Sequence, residues 1–206
     1  MIKYVMFDFD GTIADSKRAI VSSWNRLAKK YRYKEITFEE LDELKKLSLK
    51  ERSQLLNFPL RKIPVVLPQL YKLFLEARHQ VKLFDGMKEV LSELGSKGYK
   101  VIIISSNSRD NILDFLKLNE INNVTKVICS SSFFGKDKLI QRFLRESQLG
   151  TSEVIYVGDE HRDIVACKKV GVKIVWVGWG YDSIEVVEAA EPDYKVYTPA
   201  DIMKII

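Results

Sequence analysis

The sequence predicts an α/β protein, a Rossmann-like parallel-sheet core carrying an inserted helical cap. Three observations point there. Short apolar runs rich in β-branched residues recur along the chain, each stopping at Gly, Ser or an acid. Segments of helical periodicity separate them. One long stretch, residues 16–83, breaks the alternation with helical patterns alone. Strand–helix alternation of this kind gives a parallel sheet covered on both faces.

The first strand is expected over 2–8, where Ile-Lys-Tyr-Val-Met-Phe ends at Asp8. In the insert, Ile20, Trp24, Leu27, Ala28 and Tyr31 recur at helical spacing. Thr37 with Glu40 and Ser48 with Glu51 fit capping boxes. A proline-punctuated stretch from Phe58 to Pro68 is expected to separate a third helix from a fourth, marked by Leu70, Leu73, Phe74, Ala77 and Val81. No strand is expected in the insert. Hinges are placed near Ser16 and Phe84, which divides the chain into a core of 1–15 and 84–206 and a cap of 16–83.

Further strands are expected at 100–105, 124–129, 153–157 and 173–177, with helices at 86–97, 109–119, 137–148 and 161–170. Gly98, Gly150 and Gly171 stand where a left-handed residue would end three of these helices.

Composition excludes several classes. With 206 residues, 46% hydrophobic and 30% charged, the chain buries a core without disulfides and is not disordered. No apolar run reaches the ~20 residues of a membrane helix. Met1 to Asp10 does not read as a signal peptide. Cys129 and Cys167 form no CxxC pair, so they are read as inert thiols of a reducing, cytoplasmic protein. The net charge of +5 is read as a mixed, solvated surface, with no nucleic acid and no membrane as partner. The basic run Lys29 to Lys34 suits a helix C-terminus.

Ligands of a parallel sheet bind beyond the carboxyl ends of its strands. Past the first strand come Asp8, Asp10, Gly11 and Thr12; past the second, Ser105, Ser106 and Asn107. Past the third come Gly135, Lys136 and Lys138, and past the fourth Asp159, Glu160 and Asp163. Clustered carboxylates repel one another unless a cation joins them, and an all-oxygen set suits Mg²⁺ with a substrate phosphate. Gly11-Thr12 turns the backbone, so its free N–H groups are expected to line an anion site. Asp8, held at a strand end, is a candidate nucleophile, and Asp10 a candidate acid and base.

These segments resemble the four motifs of the haloacid-dehalogenase (HAD) superfamily of phosphatases. Phe7-Asp8-Phe9-Asp10-Gly11-Thr12 resembles the first, Ser106-Asn107 the second, Lys136 the third and Gly158-Asp159-Glu160-His161-Arg162-Asp163 the fourth. The helical insert and Phe84-Asp85-Gly86 resemble the phosphoglycolate-phosphatase-like branch. The resemblance implies that Asp8 attacks phosphorus and Asp10 protonates the leaving alcohol. It further implies that Ser106 and Lys136 hold the phosphoryl group, with Gly11, Thr12 and Asn107 around it. Mg²⁺ would be held by Asp8, the Asp10 carbonyl and Asp159, with support from Asp163. An acid at position 10 also separates this chain from the dehalogenase branch, whose halide leaving group needs no proton.

Two positions stay open, Lys136 against Lys138 and Ser105 against Ser106. His79 and His161 are read as surface residues, and Trp176 and Trp179 as packing. Arg18, Arg52, Arg61 and Lys62 are read as solvated cap charges, with an anionic substrate tail as the other reading. The function expected is Mg²⁺-dependent hydrolysis of a small phosphorylated metabolite by a monomer or homodimer. Phosphoglycolate is the default substrate by resemblance. The alternatives are a pyrophosphatase or phosphomutase on the same scaffold, or a non-catalytic binding protein.

Overall fold

The computed structural model describes residues 1–130 and 135–206. Strand β1 (Tyr4–Phe7) leads into the two-residue β2 (Ala14–Asp15). Helices α1 (Lys17–Tyr31), α2 (Glu40–Lys45), α3 (Leu49–Leu55) and α4 (Ile63–Glu76) follow, and β3 (Lys82–Leu83) returns the chain. Alternation then sets in: α5 (Met87–Ser96), β4 (Lys100–Ser105), α6 (Arg109–Leu118), β5 (Val124–Cys129), α7 (Lys136–Glu146), β6 (Val154–Gly158), α8 (His161–Val170) and β7 (Lys173–Val177). A short α9 (Ile184–Val187) and β8 (Tyr194–Val196) close the chain.

Six strands form one sheet in the order β5-β4-β1-β6-β7-β8, and every pairing is parallel. Side chains alternate across it. Val5, Phe7, Ile103, Val157 and Val175 pack under α5 and α6, while Met6, Ile102, Tyr156, Ile174 and Trp176 pack under α7 and α8. From β1 the chain crosses to β4 and β5 on one side, then returns to β6 on the other. The crossovers therefore diverge between β1 and β6, which opens a crevice at their carboxyl ends.

Helices α1 to α4 surround a separate apolar cluster of Trp24, Leu27, Ala28, Ile36, Leu41, Leu44 and Val66. Both expected capping boxes form. The Glu40 amide donates to Thr37 Oγ1 at 3.2 Å, and the Glu51 amide to Ser48 Oγ at 3.3 Å.

Four local features differ from expectation. Lys82–Leu83 pairs antiparallel with Ala14–Asp15, a two-residue ribbon too short to show periodicity. Strand β8, only three residues long and half polar, carries no strand pattern either. Helix α4 begins at Ile63 and runs through Pro68, where the sequence suggested a break. Proline removes one intrahelical N–H, and the apolar face of α4 packs on α1. Gly98 (φ 85°) and Gly171 (φ 77°) take left-handed conformations, but after α7 it is Gln148 (φ 54°), not Gly150, that does so.

Candidate active site

The crevice gathers side chains from all four strand ends. At the end of β1, Asp8 is buried: its Oδ1 accepts from the Phe9 amide at 2.7 Å, and its Oδ2 lies 2.6 Å from Lys136 Nζ. Lys136, the first residue of α7, also donates to Asp163 Oδ1 at 2.5 Å. One buried ammonium thus joins two carboxylates, one following β1 and one on α8. Burial works against its charge, but Asp163 and Asp8 overcome that and hold the ammonium above its usual pKa. Lys138 is exposed, so Lys136 is the lysine in the crevice.

Asp10 stands two residues on. Ser16 donates to its Oδ1 at 2.7 Å, and Asn107 Nδ2 to its Oδ2 at 2.9 Å. Burial raises the pKa of this carboxyl, while the Ser16 and Asn107 hydrogen bonds oppose the shift. Asn107 is itself fixed, because its Oδ1 accepts from the Ser108 amide (2.7 Å) and from Asn111 (3.0 Å). Ser105 is buried and its Oγ accepts from the Asn107 amide, whereas Ser106 faces the cavity and meets the Tyr71 hydroxyl from α4.

Gly11 has φ +83°, and a Cβ there would collide with the Asp159 carboxylate; a Cβ on Gly180 would collide with the same side chain. The Gly11 amide donates to the Ala14 carbonyl at 2.9 Å and the Thr12 amide to that of Phe9 at 3.3 Å. Where the sequence suggested free N–H groups, these two close the turn instead. Thr12 Oγ1 donates to Asp159 Oδ1 at 2.7 Å, and the Tyr181 amide to Asp159 Oδ2 at 2.7 Å. Asp159 is fully buried with both oxygens engaged.

Three acids in the described residues offer oxygens within 4.8 Å of one another: Asp8, Glu160 and Asp163. Burial and mutual repulsion raise the carboxyls nearby. Asp8 is pushed up to about 7, and Asp159 well above its usual value, by burial first and then by neighbouring acids. Glu160 is raised by burial, against the pull of Arg162. Hard oxygen donors this close, and this reluctant to ionise together, fit a divalent cation.

Glu160 was named among the strand-end acids but given no role, although it lies inside the fourth motif. The loop after β7 was missed entirely. There the Tyr181 hydroxyl lies 2.6 Å from Ser16 Oγ, and Asp182 Oδ2 accepts from the His161 amide at 2.7 Å. The strand-end rule applied once more, past Val177, would have found it. The two tryptophans do more than pack: Trp176 Nε1 donates to the Asp159 carbonyl (2.9 Å) and Trp179 Nε1 to that of Thr12 (3.1 Å). His79 and His161 are exposed, as expected. Cys167 is buried, and Cys129 is half-buried with burial pushing its thiol up to about 11. Arg52 is not a solvated charge, since its guanidinium lies 2.5 Å from Asp182 Oδ1.

Against this geometry, comparison with known proteins is decisive. The sequence profile described as haloacid dehalogenase-like hydrolase matches residues 5–177. The chain belongs to this family. Members similar to it include the phosphoglycolate phosphatase of Synechococcus elongatus, 28% identical over 98% of this chain and 96% of that protein. The pyrophosphatase PpaX of Bacillus mycoides is 26% identical, with 100% of this chain and 97% of that one covered. Among solved structures, a predicted phosphatase from Clostridium acetobutylicum superimposes with a TM-score of 0.85 at 20% identity, covering 100% of this chain and 98% of that one. A haloacid dehalogenase-like family hydrolase from Streptococcus pneumoniae gives 0.82 at 20% identity, covering 99% and 98%. Both share the whole fold, insert included. In this family member, no helix of the described residues is long and apolar enough to cross a membrane.

Proposed function

We propose that the chain is a Mg²⁺-dependent phosphatase that hydrolyses a small phosphomonoester through an aspartyl-phosphate on Asp8. The observation that carries this is the buried Lys136 ammonium between Asp8 (2.6 Å) and Asp163 (2.5 Å), with Asp10 oriented two residues on. Residues 16–83 act as a cap over a core of 1–15 and 84–206.

The Asp8 carboxylate attacks phosphorus in line, and the P–O bond to the leaving alcohol breaks. Asp10, whose burial favours its protonated form, gives that alcohol its proton. Asp10 then takes a proton from the water that attacks the acyl phosphate, releasing phosphate and restoring Asp8. Ser106 and Lys136 hold the transferring oxygens. Asn107 and Ser16 aim Asp10. Gly11 and Thr12 shape the turn and keep Asp159 in place.

Asp8, Glu160 and Asp163, whose oxygens lie within 4.8 Å of one another, would hold the cation; the Asp10 carbonyl and Asp159, whose oxygens now accept from Thr12 and Tyr181, are further ligands by resemblance. When bound, Mg²⁺ offsets repulsion between the carboxylates and the incoming phosphate. Glu160 and Arg162, paired with each other, line the cavity at this cluster.

The test is phosphate release from a panel of small esters. Turnover with Mg²⁺, its loss in EDTA and its return on adding metal are expected. Asp8→Asn should lower kcat by at least about 10³-fold with the fold retained by circular dichroism. An Asp8→Asn enzyme that turns over normally would overturn the proposal. Phosphate release, as against isomerisation of a sugar phosphate, separates hydrolysis from mutase action.

A further inference from the structure

A chamber of about 280 Å³ runs from Asp10, Ser106 and Asn107 into the helical insert. Its far walls are aliphatic and aromatic, supplied by Ile20, Leu44, Leu67, Leu70 and Phe74. Three cations also line it, Lys45, Arg52 and Arg162, and each already faces an acid. Lys45 Nζ lies 3.1 Å from Asp42 Oδ1. Arg52 pairs with Asp182 at 2.5 Å and donates to the carbonyls of Leu44 (2.8 Å) and Lys45 (3.2 Å). Arg162 Nε donates to Glu160 Oε2 at 2.7 Å.

A substrate carboxylate or second phosphate in this chamber would have to part Arg52 or Arg162 from its acid or lie against leucine side chains, and either is costly; Lys45, whose partner Asp42 is exposed, is held less firmly. An uncharged apolar group disturbs none of them and gains by leaving water. We infer that the alcohol part of the substrate is an uncharged apolar body, not the carboxylate of phosphoglycolate and not a second phosphate. Its size follows from the volume. An apolar cavity of about 150 Å³ holds benzene, so this chamber takes a phosphoryl group with roughly one ring or a short branched chain. The inference rests on the phosphatase reading above and narrows it to a substrate class.

The test has two arms. In the first, phosphate release with Mg²⁺ is measured for ethyl to hexyl phosphates, phenyl phosphate, phosphoglycolate and pyrophosphate. KM should fall roughly fourfold per added methylene and level off when the chamber is full. Leu67→Ala and Leu70→Ala should each raise KM for hexyl phosphate about fivefold, and that for ethyl phosphate less. In the second arm, calorimetry compares two non-hydrolysable probes. Phenylphosphonate should bind at least about tenfold tighter than phosphonoacetate. A flat KM series, equal binding of the two phosphonates, or a highest kcat/KM for phosphoglycolate or pyrophosphate would overturn the inference and leave the phosphatase reading standing. No phosphate release from any ester, with the phosphonate preference intact, would overturn the phosphatase reading alone.

Discussion

The two ends of the chamber are built on opposite physical principles. At the sheet end, Asp8 and Lys136 are buried, Asp10 and Glu160 are half-buried, and all four are held by short hydrogen bonds or ion pairs. At the helical end, Leu67, Leu70 and Phe74 project from one face of α4 and contact little that is polar. Strand termini fix side chains through a ladder on both sides, whereas one amphipathic helix can change its inward residues without disturbing that ladder. On the proposed reading, chemistry falls to the sheet and selectivity to the insert.

That contrast is broken most severely at Asp10. Asp10→Asn keeps the hydrogen-bonding shape toward Ser16 and Asn107 but cannot deliver a proton. In steady-state assays kcat should fall about 10²- to 10⁴-fold, with phosphonate binding retained. Unchanged kcat would remove Asp10 from its role.

Next comes Lys136→Met, which touches chemistry and stability together. Removing the ammonium leaves Asp8 and Asp163 buried without their cation, and losing one partner of a buried pair costs about 3 kcal/mol. For a chain of this size that is a Tm drop of roughly 6–12 °C by calorimetry. An equivalent deletion at the helical end, Leu70→Ala, should change selectivity with a smaller loss of Tm.

The smallest expected effect lies where the two ends meet. Burial, and then Lys45 from α2, lower Lys17 to about 8. A lysine whose folded pKa is depressed penalises the fold while charged. The penalty is present below about pH 8 and fades as pH rises toward the ordinary lysine value of ~10.4. Between those limits this group alone makes the protein more stable with rising pH. Lys45→Met should flatten that rise in Tm against pH, and an unchanged slope would show that burial alone sets the shift.

Much of this was legible in the sequence, for identifiable reasons. Buried central strands such as Lys100–Ser105 are continuous β-branched runs, and few other structures produce them. Asp8, Asp10, Lys136 and Asp163 were legible because the strand ends that carry them are. The ribbon at Lys82–Leu83 and the edge strand Tyr194–Val196 were not, being shorter than any periodicity. Nor was the orientation of Asp159. Its partners Thr12 and Tyr181 lie 147 and 22 residues away, and only folding shows that Gly11 and Gly180 leave it room. The pairing of Arg52 with Asp182 spans 130 residues, and no local pattern distinguishes such an arginine from a solvated one.

Asp182 has a wider consequence. One of its oxygens receives Arg52 from the insert, and the other receives the first amide of α8, the helix that carries Asp163. Lifting the insert would strip this carboxylate of its counter-ion while it still faced a crowded acidic neighbourhood. One carboxylate thus ties the insert to the helix that carries Asp163, so a change at either partner is felt by both.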